Sequence, residues 1–212
     1  MKILSKSEYL RKGKLIQDKI FTGLNLYSSS PIFSEVITER LILFNYEDNS
    51  GYTLSKRLEE AIFMAAKEIG ETGLYISILT HEDYSIEDDP LYWHLDLSEE
   101  DLYQNLIWGP LENIIFSENG TWGVLLSFDG IGLLGGKKQF ISQIKLRIPD
   151  IDYQLSEFLE YWKDYERETY ICTSWIPPLL RHIYGGRKSN KLLKIIGTNF
   201  TQGGVFSEKK PV

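Results

Sequence analysis

The chain of 212 residues is 42% hydrophobic and 25% charged with a formal net charge of −7, a globular composition that excludes a disordered chain. Its single cysteine excludes an internal disulfide and a thiolate-cluster metal site. No apolar run approaches the roughly 20 residues that cross a bilayer, and the N-terminus lacks the apolar core of a secretory signal, so we expect a cytoplasmic protein that does not enter membranes.

The first third of the chain predicts two strands, a helix and a third strand. Residues 1–15 are basic and are expected to be loose. The apolar, β-branched segments Ile20–Leu26 and Val36–Tyr46 predict strands separated by a serine-rich turn. Apolar residues then recur at three- and four-residue spacing, which predicts an amphipathic helix from about Ser55 to Ile69. The segment Gly73–Thr80 predicts a strand against which this helix packs.

The next part of the chain is strongly acidic. Between Glu68 and Gly136, 69 residues contain 14 carboxylates and no Lys or Arg. From His81 to Leu97 we expect an irregular loop, because Pro90 and paired aspartates disfavour a regular element. A region of one charge sign repels nucleic acid and attracts basic proteins, so we expect a basic protein partner and no binding of nucleic acid. The predicted partner-binding residues are Glu82, Asp83, Glu87, Asp88, Asp89, Tyr92, Trp93, Asp96, Glu99, Glu100 and Asp101.

Two aromatic residues of this group are expected to be exposed. Tyr92 and Trp93 are predicted to anchor the contact, because buried aromatic anchors usually carry more binding energy than charges at the rim. Ser98 and Asp101 resemble a capping box, which predicts a short helix after them. Pro110 ends that helix, since proline cannot continue the hydrogen-bond ladder.

Two hairpin signals mark the centre of the predicted fold. Asn119-Gly120 and Asp129-Gly130 lie ten residues apart between apolar runs, and such pairs accept the positive φ of tight turns. They predict a three-stranded antiparallel meander over about 113–134. Because strands and helices occur in runs without βαβ alternation, we predict a single α+β domain over residues 1–212, with a central antiparallel sheet packed against several helices. Its ends, at about 1–15 and 201–212, are expected to be loose.

The C-terminal third predicts mainly helices. Helical spacing of apolar residues predicts one helix that Pro149 closes and a second that Asp150 caps. The segment Tyr170–Thr173 predicts a short strand. Pro177 predicts the start of a further helix, which Gly185-Gly186 ends.

Three groups of residues are candidates for chemistry. His81 and His94 flank the acidic residues and can join them in a cation site, but the spacing matches no metal motif. Cys172 can act as a nucleophile only if His182 lies within hydrogen-bond reach. The Gly135-Gly136-Lys137 turn can place a phosphate near free amides, but it matches no nucleotide-binding fingerprint. A solvated loop, a buried thiol and close glycine packing are favoured instead, so we expect no metal, no cofactor and no catalytic residue.

The segment Phe116–Ser127, with Leu134-Gly135-Gly136 after it, resembles a segment of small bacterial proteins, some of which are immunity proteins of toxin–immunity systems. The resemblance implies a cytoplasmic protein that binds and neutralises one cognate toxin. Many such toxins are basic nucleases, which agrees with the acidic segment.

The sequence therefore favours a non-enzymatic binding protein of the immunity type. The alternative is a small cytoplasmic enzyme, a hydrolase or transferase, that uses the Gly135-Gly136-Lys137 turn or the His81/His94 carboxylate region. The sequence leaves the oligomeric state open.

Overall fold

The computed structural model describes residues 1–44, 54–79, 91–98, 112–127, 130–168, 172–198 and 200. Seven strands and six α-helices occur in these residues. The strands are β1 (Lys2–Ile3), β2 (Glu39–Phe44), β3 (Gly73–Ile78), β4 (Tyr92–Asp96), β5 (Asn113–Ser117), β6 (Trp122–Leu126) and β7 (Ile131–Gly136). The helices are α1 (Lys6–Arg11), α2 (Gly13–Ile20), α3 (Lys56–Glu68), α4 (Lys138–Arg147), α5 (Gln154–Glu168) and α6 (Ile176–Ile196).

The strands form one antiparallel sheet in the order β1-β4-β3-β5-β6-β7-β2. Side chains alternate between its two faces, so that Ile42 and Phe44 of β2 belong to one buried cluster, while Leu41 and Leu43 belong to the other. The first cluster includes residues of α1, α2, α5 and α6, and the second includes residues of α3 and α4. The sheet is thus the middle of three layers, and the predicted α+β class is confirmed.

The predicted meander is present as β5, β6 and β7, which pair consecutively. Gly120 and Gly130 have φ of +71° and +66°, the left-handed conformation that the two hairpin signals predict. The third strand continues to Gly136, beyond its predicted end.

A buried carboxylate braces the first hairpin turn. Glu71 is 6% exposed and accepts hydrogen bonds from Asn119 Nδ2 at 2.9 Å and from Thr121 Oγ1. The Thr121 amide in turn donates to Ser117 Oγ at 2.7 Å. This carboxylate, one of the 14 in the acidic part of the sequence, is therefore committed to the fold.

The helix α3 and the strand β3 agree with the prediction. Ser55 Oγ accepts a hydrogen bond from the Leu58 amide at 3.3 Å and caps the helix. The buried stripe of α3, which includes Leu58 and Ile62, packs on the sheet. Each such leucine or isoleucine stabilises the fold by about 1.5–3 kcal/mol.

The predicted helix before Pro149 is α4, but the capping role of Asp150 is wrong. A 3-10 turn, Ile151–Tyr153, precedes α5, and the Asp150 side chain makes no capping hydrogen bond. The backbone of Asp150, at φ −90° and ψ 3°, lacks the extended conformation of a capping residue. Its Oδ1 instead accepts a hydrogen bond from Arg57 Nη2 at 3.2 Å.

The N-terminal region differs most from the prediction. Residues 1–15, expected to be loose, form β1, α1 and the beginning of α2, and Ser5 and Glu8 make a capping box at α1. The predicted strand Ile20–Leu26 is wrong, because α2 ends at Ile20 and only an isolated bridge between Phe21 and Phe33 follows. The second predicted strand is confirmed over Glu39–Phe44.

Two glycines of the meander explain why this region lies on the sheet and does not join it. A Cβ on Gly123 would lie 2.6 Å from the Phe21 ring, and a Cβ on Gly135 would lie 2.6 Å from Ile37 and 2.8 Å from Phe33. The missing side chains leave room for the apolar residues that follow α2. These residues cover the sheet face and gain burial without strand pairing.

Three further predictions need correction. The segment His81–Leu97 contains β4, which pairs with both β1 and β3. The predicted helix end at Gly185-Gly186 is a kink: Gly185 has φ 76° and ψ 158°, and helical structure resumes up to Ile196. Cys172 and Thr173 are not in a strand. The helix predicted after Ser98 and the loose end at 201–212 lie outside the described residues.

Candidate functional site

One end of the sheet is formed by the residues where several strands begin or end. Phe44 lies opposite Ile131 at the ends of β2 and β7. The Ser127 amide donates to the Ile131 carbonyl at 3.0 Å, and the Leu79 amide donates to the Glu112 carbonyl at 2.8 Å. These five residues therefore mark one continuous sheet end.

Three acidic chain segments leave the sheet at this end. They are 45–53 after Phe44, 80–90 after Leu79, and 128–129 after Ser127. Their sequences hold eight carboxylates and no Lys or Arg: Glu47, Asp48, Glu82, Asp83, Glu87, Asp88, Asp89 and Asp129. We call this end of the sheet the acidic end.

Five of the eleven predicted partner-binding residues belong to the segment 80–90: Glu82, Asp83, Glu87, Asp88 and Asp89. Glu99, Glu100 and Asp101 follow Ser98, which lies at the opposite end of the sheet. All eight are outside the described residues. The other three, Tyr92, Trp93 and Asp96, are on β4.

The three residues on β4 do not form one surface. Trp93 is 2% exposed in the cluster with α3 and α4, so the expectation of an exposed anchor is wrong at this position. Side-chain alternation along β4 puts Tyr92 on the opposite face, where it is half-buried and stacks on Tyr9 with ring centroids 4.1 Å apart.

Asp96 lies at the opposite end of the sheet from the acidic end, because it pairs with the first residue of β3, Gly73. Its Oδ1 accepts hydrogen bonds from the amide and the hydroxyl of Ser98 at 2.8 and 2.7 Å, and these bonds lower the pKa of Asp96. Glu68 pairs with Arg147, and Glu118 lies beside His94. The acidic part of the sequence is thus divided, and the described carboxylates at this opposite end, Glu68, Asp96 and Glu118, have partners within the protein.

A cleft of about 600 Å³ lies beside the acidic end, on the sheet face that carries α1 and α2. Its walls come from these helices, from the segment after α2, and from the adjoining ends of β3 and β4. The lining residues are Tyr9, Leu10, Lys14, Gln17, Leu24, Asn25, Leu26, Tyr27, Ser77, Ile78, Leu79, Tyr92 and Glu112. Such a mixture of aromatic and aliphatic walls with a few polar groups is typical of binding sites.

The base of the cleft is a hydrogen-bonded polar group. The Tyr9 hydroxyl donates to Gln17 Oε1, and both residues are buried together with Ser77. Burial raises the pKa of Tyr9 to about 12, so its phenol stays protonated at neutral pH. Charge enters the lining through Lys14 and Glu112, and the Lys14 ammonium pairs with Asp18 one helical turn away.

The histidine region offers one carboxylate contact. His94 Nε2 lies 3.4 Å from Glu118 Oε2, and the His94 ring packs on Tyr75 with centroids 4.8 Å apart. His81 is outside the described residues. No group of three or more His, Cys, Asp or Glu that can hold a metal occurs within the described ranges.

The glycine turn is part of the sheet. Gly135 and Gly136 are the last two residues of β7, and the Lys137 amide donates to the Thr121 carbonyl at 3.0 Å. A Cβ on Gly136 would lie 2.6 Å from the Phe140 ring. Apolar side chains thus cover both glycines. This supports close packing, and not phosphate binding, as the role of the two glycines.

His182 serves as a structural acceptor. Its Nε2 accepts hydrogen bonds from the amides of Ile32 and Phe33 at 3.2 and 3.0 Å. Burial, reinforced by the nearby Arg40 guanidinium, lowers the pKa of His182 to about 4 and keeps Nε2 free to accept. The Cys172 thiol contacts Ser174 Oγ at 3.1 Å. These contacts favour a structural role for His182, in which it holds the segment at Ile32 and Phe33, and disfavour a role as the base of Cys172.

Sequence reasoning missed both the cleft and the His182 contact. The cleft joins residues of α1 and α2 to the ends of β3 and β4, and the His182 contact spans about 150 positions. No pattern within a short stretch of sequence predicts the cleft or the His182 contact.

Comparison with known proteins finds no matching family model, no similar curated protein and no similar solved structure. Of the helices in the described part of the chain, none has the length and hydrophobicity that a membrane span requires.

Proposed function

We propose that this is a non-enzymatic binding protein that recognises a basic protein partner through its acidic end. One observation supports this most: the strand ends from which three acidic segments leave the sheet lie together, and those segments contain eight carboxylates without a basic residue. Charges gathered in this way raise the rate of encounter with a cationic protein. Connecting segments on a rigid scaffold are also where binding residues are most often found.

The more specific form of the proposal is an immunity protein that neutralises a basic toxin by stoichiometric binding. It rests on the resemblance of Phe116–Ser127 and Leu134-Gly135-Gly136 to immunity-type proteins. In the structure these residues form the meander, and Gly123 and Gly135 lie beneath the apolar segment after α2. The resemblance therefore concerns the scaffold, and the acidic end supplies the partner-binding residues.

The direct test is co-expression with the product of the neighbouring gene, followed by affinity purification and measurement of Kd. Four carboxylates of the segment 80–90 are neutralised in the test variant, which carries Glu82→Gln, Asp83→Asn, Asp88→Asn and Asp89→Asn. The matched control neutralises four exposed carboxylates elsewhere, by Glu35→Gln, Glu39→Gln, Glu157→Gln and Glu160→Gln.

Both variants lose the same formal charge, so a difference between them reports position and not net charge. We expect the test variant to bind at least about tenfold more weakly and the control to stay within about twofold of the parent protein. Equal weakening of the two variants would contradict recognition through the acidic end. Retention of full affinity by the test variant would contradict it as well.

A further inference from the structure

We propose that the cleft beside the acidic end receives an arginine side chain of the basic partner. The inference rests on the proposed function and deepens it, since it names the chemical group that the partner inserts. It draws on described residues only: the tyrosines of the cleft, its buried polar base, and the charges of its lining.

The aromatic lining suits a planar cation. Tyr92 is half-buried and is backed by the buried Tyr9 ring, with centroids 4.1 Å apart. Tyr27, 41% exposed, forms another wall and packs edge-on against Trp175 at 5.1 Å. A guanidinium stacks on aromatic faces and holds less tightly to its water than an ammonium does. Tyrosine-lined walls therefore favour arginine over lysine.

The polar groups of the cleft match the rest of an arginine side chain. Ser77 and Gln17 are buried and offer oxygen acceptors near the base, whereas Leu24, Leu26 and Leu79 line the apolar part. A guanidinium has five N–H donors and no acceptor, so it benefits from several oxygens at the base of an apolar channel. Arginine is also among the residues that most often dominate binding energy at interfaces.

The charge of the surroundings selects a cation. Glu112 is the one carboxylate in the lining, and it lies at the sheet end from which the three acidic segments leave. Lys14, which pairs with Asp18, opposes a cationic ligand. The two lining charges therefore make opposite predictions, which allows a decisive test.

The probe is a hexa-arginine peptide, with a hexa-citrulline peptide as its neutral isostere, and binding is measured by calorimetry at low and at physiological salt. The cleft variants are Tyr92→Leu, Glu112→Gln and Lys14→Gln, and their folding is checked by thermal denaturation. Tyr153→Leu is the aromatic control, because Tyr153 is 64% exposed and is not among the residues that line the cleft. The four-carboxylate variant described above is measured in parallel.

We expect hexa-arginine to bind and hexa-citrulline not to bind. Tyr92→Leu and Glu112→Gln should weaken binding by about fivefold or more, Lys14→Gln should strengthen it by about twofold to threefold, and Tyr153→Leu should leave it unchanged. Because the Lys14 side chain is 41% exposed and its pairing with Asp18 is near the surface, its variant tests the inference even if Tyr92→Leu fails to fold.

Two results would overturn the inference. If only the four-carboxylate variant loses affinity, the acidic end binds the peptide without the cleft, so the proposed function stands and the cleft assignment fails. If Lys14→Gln weakens binding, the cleft prefers an anion. Failure of the parent protein to bind hexa-arginine would contradict both proposals together.

Discussion

The acidic end of the sheet and the helix α6 each carry charge of one sign, but they differ in what the charged residues belong to. The helix has five basic residues, all exposed, and no acidic residue: Arg181, Arg187, Lys188, Lys191 and Lys194. The acidic end has its carboxylates in three connecting segments. From the sequence alone, the two charged regions are equally good candidates for a binding surface.

The inner side of α6 is committed to holding the fold together. His182 accepts from two backbone amides, and the Arg40 guanidinium donates to the His182 carbonyl at 2.7 Å. The Ile42 amide of the edge strand β2 donates to the Tyr184 hydroxyl at 3.2 Å, and the Phe44 amide donates to Gln154 Oε1 at 3.0 Å. Side chains of α5 and α6 thus occupy donors on an edge that would otherwise attract another strand.

The difference shows that the role of a charged stretch depends on whether its residues belong to an element that stabilises the fold or to a connecting segment. The positive charges of α6 are the solvated side of a helix whose other side fastens the edge strand. The carboxylates of the acidic end belong to segments that connect strands and helices, and such connections tolerate sequence change that serves binding. Four perturbations, of decreasing expected size, test this contrast.

The largest effect is expected from His182→Leu. The substitution leaves the amides of Ile32 and Phe33 without their acceptor, and an unsatisfied buried donor costs about 1–3 kcal/mol. We expect a loss of about 2–4 kcal/mol in the free energy of unfolding, measured by urea denaturation at pH 7. The four-carboxylate variant of the acidic end should lose none. An unchanged free energy of unfolding in His182→Leu would contradict the structural role of α6.

The pH dependence of stability gives a second, smaller effect at the same residue. The pKa of His182 is about 4 in the folded protein and 6.5 in the unfolded chain. The unfolded chain binds more protons between these values, so the contribution is complete above pH 6.5 and is lost as the pH falls through 4. Allowing for partial exposure of the ring, the loss is on the order of 1–2 kcal/mol. The free energy of unfolding should be lower at pH 4.5 than at pH 7 by this amount in the parent protein, and His182→Leu should lack this difference.

A third change tests the cost of negative charge near the acidic end. Glu59 lies in the first turn of α3, which follows the acidic segment 45–53, and burial, aided by Glu60, raises its pKa from 4.5 to about 7. The folded protein binds more protons between these values, so stability decreases as the pH rises through 7. We expect Glu59→Gln to raise the free energy of unfolding by about 1 kcal/mol at pH 8 and to change little at pH 5. The exposed neighbour is the control, and a gain of equal size from Glu60→Gln would argue against burial as the cause.

The smallest effect is expected from the basic residues of α6. Neutralising three of them together, by Arg187→Gln, Lys191→Gln and Lys194→Gln, should change the free energy of unfolding by no more than about 0.5 kcal/mol, since all three are exposed. Affinity for the basic partner should stay the same or increase slightly. A marked loss of affinity would mean that α6, and not only the acidic end, contacts a partner.

Local patterns predicted the central elements well. The hairpin signals located the meander, and the apolar spacing located α3 and α4, because turn chemistry and amphipathicity act within a few residues. The strand β4 was hidden by Pro90 and the surrounding acids, although Trp93 and Leu95 alternate as a buried face.

The remaining features depend on contacts that are distant in sequence. Gly123 and Gly135 are required because Phe21 and Phe33 pack over them, which follows from strand register and from the path of a separate segment. The cleft joins the ends of β3 and β4 to α1 and α2, and the acidic end exists because three acidic segments leave the sheet at one end. Sequence reasoning found the acidic residues but not the topology that gathers them. It also counted Asp96, which lies at the other end, and the three acids that follow Ser98 there.

The most direct test of the central claim is the salt dependence of the association rate constant with the neighbouring gene's product, measured by stopped flow. The parent protein, the four-carboxylate variant of the acidic end and the three-residue variant of α6 are compared between low and physiological ionic strength. Recognition through the acidic end predicts a steep decrease with salt for the parent protein and the α6 variant. The four-carboxylate variant should give a shallow slope and associate about tenfold more slowly at low salt. Parallel slopes for all three proteins would contradict the claim.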